Sequence, residues 1–448
     1  AMRDIVAGLE WRQGDMVIVN DPFLGGTHLP DVTLIAPVFY DNNLLGFVAN
    51  RAHHADIGSE TPGSMPLSSS LEEEGLIISP SHLIEAGNLN DAVMGRITGA
   101  IRSGDAGRGD FAAQISANRN GLQRIDELIN LMGTEAFREG LNDLNDYAER
   151  LAQSTLSAIP DGTYEFSDLL DDDGLGDVDL AINVTLRVEQ HRVIVDFSGT
   201  SPQVGGNVNC PLSVAAAAVF YVFRCLMPPQ TPACAGSFRP ISITAPQGCL
   251  LNAQYPAAVA AGNVETSTRV VDVVMGALAK ALPDQIPAAS HGSMNNLAMG
   301  YGSGNENWDY YETIGGGMGA GPLADGISAV QTHMTNTLNT PIEVLESNYP
   351  LRVTSYAVRE HSGGRGLHSG GDGLIRSFTF FQPATVPLLT ERRRHSPWGL
   401  QGGEDGQAGR ILLNGKRLEG KATLHVEDGD NLRIETAGGG GWGISSDE

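Results

Sequence analysis

The sequence predicts an α+β fold: mixed β-sheets with packed helices, multi-lobed, and closing in a glycine-rich β section. Three observations lead there. Alternating apolar and polar runs read as strands in several parts of the chain, and an intervening stretch carries apolar residues at helical spacing among charges. Glycine, 56 residues in all, gathers in runs between strand-like segments towards the C-terminus. With 448 residues and 41% hydrophobic content, the chain can bury more than one core.

Taken in order, Ala1–Glu10 reads as the last turns of a helix, and Gly14-Asp15 turns into the strand Met16–Asn20. An upstream segment is therefore expected, and 1–70 is read as an N-terminally incomplete strand-and-loop segment. From Leu71 to Ala158 the pattern becomes helical, most clearly over Arg124–Leu131 and Glu135–Leu151, which gives a helical block at 71–160. An α/β central region, 161–350, follows. There Leu180–Glu189 and Arg192–Asp196 alternate like paired strands, and Asp171–Asp173 reads as an exposed acidic turn. Val214–Leu226 and Ser267–Leu282 are apolar almost all round and end at prolines, as buried helices do. The last part, 351–448, is the glycine-rich β region, with strands at Leu374–Phe381, Arg410–Leu413 and Asn431–Glu435. Runs such as Gly315-Gly316-Gly317, Gly363-Gly364, Gly370-Gly371 and Gly438–Gly441 read as tight turns that allow positive φ and close backbone approach.

Charge and composition exclude several functions. A formal net charge of −25 repels phosphate backbones and anionic lipid, so neither nucleic acid nor a membrane is an expected partner. No run of about 18 apolar residues and no cleavable leader is seen, and a cytoplasmic location is expected. Cys210, Cys225, Cys234 and Cys249 contain no C-x-x-C pair and read as buried free thiols. No glycine cluster has the phosphate-cradling pattern that ends in G-K-[ST]. Arg392-Arg393-Arg394 reads as a solvated face, with phosphate or carboxylate binding the rarer alternative.

The densest chemistry lies in Asn20–Asp31 and Asn50–Asp56, each just after a strand-like run. Two neighbouring strand ends would gather His28, Asp31, His53, His54 and Asp56 into a cup. Imidazoles with one or two carboxylates and an open position are the ligand set of catalytic zinc, manganese or non-haem iron. Without thiolate, Zn2+ or Mn2+ is expected. The ordinary alternative is a set of polar loop residues satisfied by backbone and water.

These stretches, Asn20-Asp21-Pro22-Phe23-Leu24-Gly25-Gly26-Thr27-His28-Leu29-Pro30-Asp31 and Phe47–Asp56, resemble signature segments of the hydantoinase B/oxoprolinase family. So do Asp196–Thr200, Ala261–Thr266, Tyr311–Gly319, Asn336–Glu346 and Pro397–Gly403, so the resemblance runs over nearly the whole chain. It implies that His28 and Asp31 hold a metal together with one histidine of the His53-His54 pair. Adjacent residues at a strand end face opposite ways, so only one ligates, and His53 is the assignment. His54 or Asp56 is the expected general base. His291, Asn295, Glu312 and His333 are expected towards the substrate, with Asn336 and Glu343 lining the same cavity. Family members generally carry a further N-terminal segment with acidic and histidine positions, absent from this sequence. Cys234 also stands where an asparagine or aspartate is expected.

The resemblance further implies an ATP-dependent hydrolase of cyclic amides such as hydantoins, 5-oxoproline or lactams. An A-type ATPase partner would bind ATP and phosphorylate the ring oxygen, and this chain would hydrolyse the imidate phosphate. Two rivals stand beside it: a component of an acetone- or acetophenone-type carboxylase, and a non-catalytic scaffold for the ATPase partner.

Overall fold

The computed structural model of the chain describes residues 2–101, 107–302 and 308–445. A short helix, α1 (Arg3–Ala7), leads through a turn at Gly14 into β1 (Met16–Val19). β2 (Asp31–Tyr40) and β3 (Asn43–His53) form a long hairpin. It is closed by Asp41-Asn42, both at positive φ, a turn whose twist matches that of the strands it joins. β4 (Ser81–Glu85) and β5 (Asn88–Leu89) complete a five-stranded sheet ordered β3-β2-β1-β4-β5. These two strands fall within the span read as helical, being too short to show an alternating pattern of their own. The helices of that block are α2 (Asp91–Ala100), α3 (Gly107–Met132) and α4 (Thr134–Leu156). α3 crosses β2 and β3, burying Phe111, Gln114, Ile115 and Asn118.

The second sheet runs β6 (Gly162–Asp172), β7 (Val178–Glu189), β8 (Arg192–Asp196) and β9 (Ile241–Thr244), with β9 parallel to β8. Helices α5 (Leu212–Leu226) and α6 (Ser267–Ala281) share its core with residues such as Ile182, Phe197, Phe223 and Val271, as their all-round apolar sequences require. α6 is entered through a π-helical turn, Gly262–Thr266. Only glycine fits there, since a Cβ on Gly262 would lie 1.8 Å from the Asn209 carbonyl oxygen. The expected exposed acidic turn is corrected: Asp171 and Asp173 are each 1% exposed. Asp171 accepts the backbone N–H groups of Arg393 and His395, and Asp173 those of Leu175, Gly176 and Asp177. Hydrogen bonds supply what solvent would have supplied.

The remaining elements are β10 (Asn296–Tyr301), β11 (Trp308–Thr313), α7 (Ile342–Asn348), β12 (Leu351–Arg359), β13 (Gly373–Phe380), β14 (Ala384–Leu389), β15 (Arg410–Leu413), β16 (Lys416–Leu418), β17 (Lys421–Val426) and β18 (Asn431–Glu435). They form two sheets, β11-β10-β14-β17 and β12-β13-β18-β15-β16, around a shared core that includes Phe378, Val386, Leu388 and Ile434.

The glycine runs differ from their expected role. Gly315–Gly317, Gly363-Gly364, Gly370-Gly371 and Gly438–Gly441 all avoid positive φ. Their segments instead lie backbone against backbone: Gly371 N–H donates to Met318 O (2.8 Å), Gly439 N–H to Gly371 O (2.9 Å), and Gly364 N–H to Gly439 O (2.9 Å). A Cβ on Gly317 would lie 1.9 Å from the Gly371 carbonyl oxygen. Close approach, rather than turning, is why glycine is needed here. Among the described residues, no helix is long and apolar enough to cross a membrane.

Candidate metal centre

The β2–β3 hairpin explains why two chemically active stretches meet. Its register places Asp31 directly opposite His53, and directly opposed residues project on the same face. His28 arrives from the loop before β2. That loop is held by buried Asn20, whose side chain donates to Leu29 O and Leu76 O (2.9 Å each) and accepts from Ile78 N–H (2.7 Å). Each of His28, Asp31 and His53 offers a ligand atom, and the three atoms lie within 4.8 Å of one another. The His28 and His53 rings are 5.2 Å apart between centroids.

His28 is fully buried, with Nδ1 3.4 Å from Ala260 O and Nε2 3.5 Å from Asp31 Oδ2. Its Nε2 has no hydrogen-bond partner. A sealed, unpaired ring nitrogen beside a carboxylate is costly unless something electron-poor occupies the space between them. Burial would raise the Asp31 carboxyl, but the His28 charge and the hydrogen bonds from His28 and Thr27 override it and hold it well below the usual carboxylate range. His53 reaches solvent yet sits in a recess walled by protein. Desolvation and the neighbouring His28 push its imidazole down to about 4, against the pull of Asp31. At neutral pH the site therefore presents neutral nitrogens and an ionised carboxylate, the protonation states that bind a divalent cation. The donor set fits such an ion.

The histidine pair faces two ways. His54 points away from this group: its ring stacks on Phe111 (4.4 Å) and its Nε2 bonds Gln114 Oε1 (3.0 Å). The expectation of His54 as general base is corrected on this ground, since that nitrogen is committed to docking α3. Asp56 is half-buried, with Oδ1 accepting Gly58 N–H (2.9 Å), and is not among the three clustered donors.

The expected substrate contacts are also drawn inward. Successive residues of β11 face opposite ways, so Tyr311 turns towards His53, stacking on it at 6.0 Å, while Glu312 faces Arg376. The Glu312 carboxylate is committed to Arg376 (3.0 and 3.1 Å) and Tyr310 (2.7 Å). Asn295 accepts from Arg393 (2.7 Å) and donates to Ile314 O (2.9 Å). His291 is 1% exposed with both ring nitrogens unpartnered, and burial together with His333 and Arg393 pushes it down to about 3. His333 is half-buried against Tyr221. Asn336 and Glu343 do line a cavity, of about 650 Å³, together with Asn339 and Tyr356, but none of the four expected substrate residues lines it.

The solvated reading of the arginine run is corrected as well. Arg392 is fully buried between Asp272 (2.5 Å) and Asp168 (2.9 Å), and Arg393 is 6% exposed, leaving only Arg394 exposed. The expectation of four buried thiols holds for Cys210 and Cys249 and is corrected for the other two, Cys225 being exposed and Cys234 partly so.

Sequence reasoning missed Glu74, Asn263, Glu265, Asn296 and Tyr311, which surround the three donors. Glu74 is in an acidic run that resembles a solvated turn, and the others lie more than two hundred residues from the loops they approach. Asn263, Glu265 and Tyr311 do fall inside family-like segments, which was the available signal.

An α+β chain of several cores, carrying a histidine–aspartate cup at the end of a β-hairpin, is the class these features define. The family model described as hydantoinase B/oxoprolinase matches residues 1–445, and the chain belongs to that family. It is 40% identical to 5-oxoprolinase 1 of Arabidopsis thaliana over 97% of this chain, but spans only 36% of that longer protein. It is 34% identical to a Pseudomonas sp. (strain NS671) protein described as the B-type subunit of a D-/L-hydantoinase, covering 97% of this chain and 76% of that one. The crystal structure of the ATP-dependent caprolactamase from Pseudomonas jessenii superposes with a TM-score of 0.89 at 26% identity, covering 98% of this chain and 79% of that chain.

Proposed function

We propose that this chain is the metal-dependent hydrolytic part of an ATP-dependent cyclic amide hydrolase. It would act in the cytoplasm on an imidate phosphate made by an A-type ATPase partner. The observation that carries the reading is the sealed, unpartnered Nε2 of His28, facing Asp31 and His53 within 4.8 Å. His28 and His53 would hold Zn2+ or Mn2+ by neutral imidazole nitrogens and Asp31 by its carboxylate. A divalent ion supplies Lewis acidity and makes water acidic enough to furnish hydroxide near neutral pH. Of the two groups expected to move the proton, His54 is held by Gln114, and this reading keeps Asp56. The exposed face of His53 is where the ring would enter, while buried His28 and Asp31 keep the donor set fixed. An unactivated lactam is a poor electrophile, which is why prior phosphorylation belongs to the scheme. That the Pseudomonas relative is one component of a multi-chain hydantoinase supports placing that step on another polypeptide.

The test is metal analysis of the purified complex with turnover of a hydantoin and lactam panel, with and without ATP. His28→Ala should abolish hydrolysis and remove the ion while sparing ATP binding by the partner. Turnover that requires bicarbonate would move the reading to the carboxylase. Undiminished hydrolysis by His28→Ala would sink it.

A further inference from the structure

The three donors come from two loops near one end of the chain, yet each is braced by a single segment much further along. The backbone of Val259 and Ala260 is pinned by buried Glu74, whose Oε1 accepts both N–H groups (2.7 and 2.9 Å) and the Ser68 hydroxyl (2.9 Å). Ala260 O then faces His28 Nδ1 at 3.4 Å. A donor hydrogen on Nδ1 directed there leaves Nε2 as the lone-pair nitrogen, turned towards Asp31. Three residues on, Asn263 reaches Asp31 Oδ2 with its Nδ2 at 3.5 Å. Two residues further, Glu265 is fully buried. Its Oε1 accepts from Met294 N–H (3.0 Å) and from Asn296 Nδ2 (2.8 Å). Asn296 Oδ1 in turn accepts the Tyr311 hydroxyl at 2.5 Å, and the Tyr311 ring lies stacked on His53.

The spacing depends on the π-helical turn. Gly262–Thr266 widens the helix entry, so that Asn263 faces the hairpin while Glu265 faces β10. Gly262 packs against Asn209 at a distance no side chain permits, which fixes the height of the whole turn. Such turns recur at functional sites because they re-aim side chains that a regular helix would space differently.

We propose that the segment Ala260–Glu265 positions all three candidate ligands, through Ala260 O to His28, Asn263 to Asp31, and the Glu265–Asn296–Tyr311 relay to His53, and thereby sets the affinity of the site for a divalent cation. The proposal rests on the metal reading above. Asn263, Glu265 and Tyr311 are positioning residues: they hold the ligands' geometry and need not touch the ion.

The experiment measures Zn2+ and Co2+ affinity of the intact protein by chelator competition, with the Co2+ absorption spectrum as a report on geometry and the melting temperature of the metal-free form as a control. Asn263→Ala should weaken binding by about 10- to 100-fold and shift the Co2+ spectrum, with the metal-free melting temperature unchanged. Tyr311→Phe, which keeps the ring but releases its anchor, should weaken binding less and in the same direction; should Asn263→Ala fail to fold, this variant decides by the same criterion. Wild-type affinity and spectrum in both variants would overturn the positioning proposal while leaving the metal site standing. No stoichiometric binding by the wild-type protein would overturn the metal reading itself, and the proposal with it.

Discussion

A carboxyl group sealed from water keeps its proton, and Glu265 is such a group. Burial, with Glu391 nearby, pushes it up to about 8, despite the opposing Lys421 and the hydrogen bonds it accepts; Arg393 and Tyr311 also face it. The folded chain holds this proton up to about pH 8, whereas an unfolded chain releases it near 4.5. The group's contribution to stability is therefore complete below about 4.5 and is lost as pH rises towards 8. Glutamine has the shape of the neutral acid and cannot ionise. The melting temperature of Glu265→Gln relative to wild type should thus improve steadily from pH 5 to pH 8, and a difference that stays constant over that range would contradict a buried neutral acid.

At the scale of elements, the end of β3 divides its two histidines between different tasks, one towards the donor cluster and one into the seat of α3. Gln114 is the centre of that seat: it bonds His54 and donates to Val32 O (3.0 Å) and Asn50 Oδ1 (2.9 Å). Gln114→Ala should cost about 1–3 kcal/mol by leaving buried polar groups unpaired, measured by urea unfolding, while cation affinity stays unchanged. A large loss of cation affinity in that variant would mean that His54 belongs to the cup after all. Much of this level was legible in the sequence. Helices α5 and α6 and strands β7, β8, β13, β15 and β18 lie where apolar patterning predicts them. The opposed facing of His53 and His54 follows from strand geometry alone. What was not legible depends on partners distant in sequence. Asp171, Asp173, Arg392 and Arg393 look solvated until their counter-charges and backbone donors are seen. The π-helical turn has ordinary helix-compatible residues, and Glu312 was chosen over Tyr311 because a carboxylate looks more functional than the neighbour that faces the site.

For the whole molecule, the layered glycines are the tightest constraint. Gly317→Ala should destabilise the chain by about 3 kcal/mol or more, because the clash is with backbone that has no rotamer to yield. An alanine at Gly415, where nothing lies within 4 Å, provides the contrast, though its φ of +79° adds a smaller strain of its own. Equal unfolding midpoints for the two variants would show that the layers can part without cost.

Those layers also set an order of events during synthesis. Ala289 O accepts Gly440 N–H, Ala320 N–H donates to Gly440 O, and Gly364 N–H to Gly439 O, so segments made early wait for residues translated much later. Until the 437–443 stretch has left the ribosome, the backbone groups of 288–320 and 363–371 have no permanent partners and present unpaired edges of the kind that recruit other chains. The nascent polypeptide is thus most vulnerable to aggregation just before it is finished, and a ribosome stalled over the final glycine codons would leave nearly all of the protein made and its C-terminal layers still open.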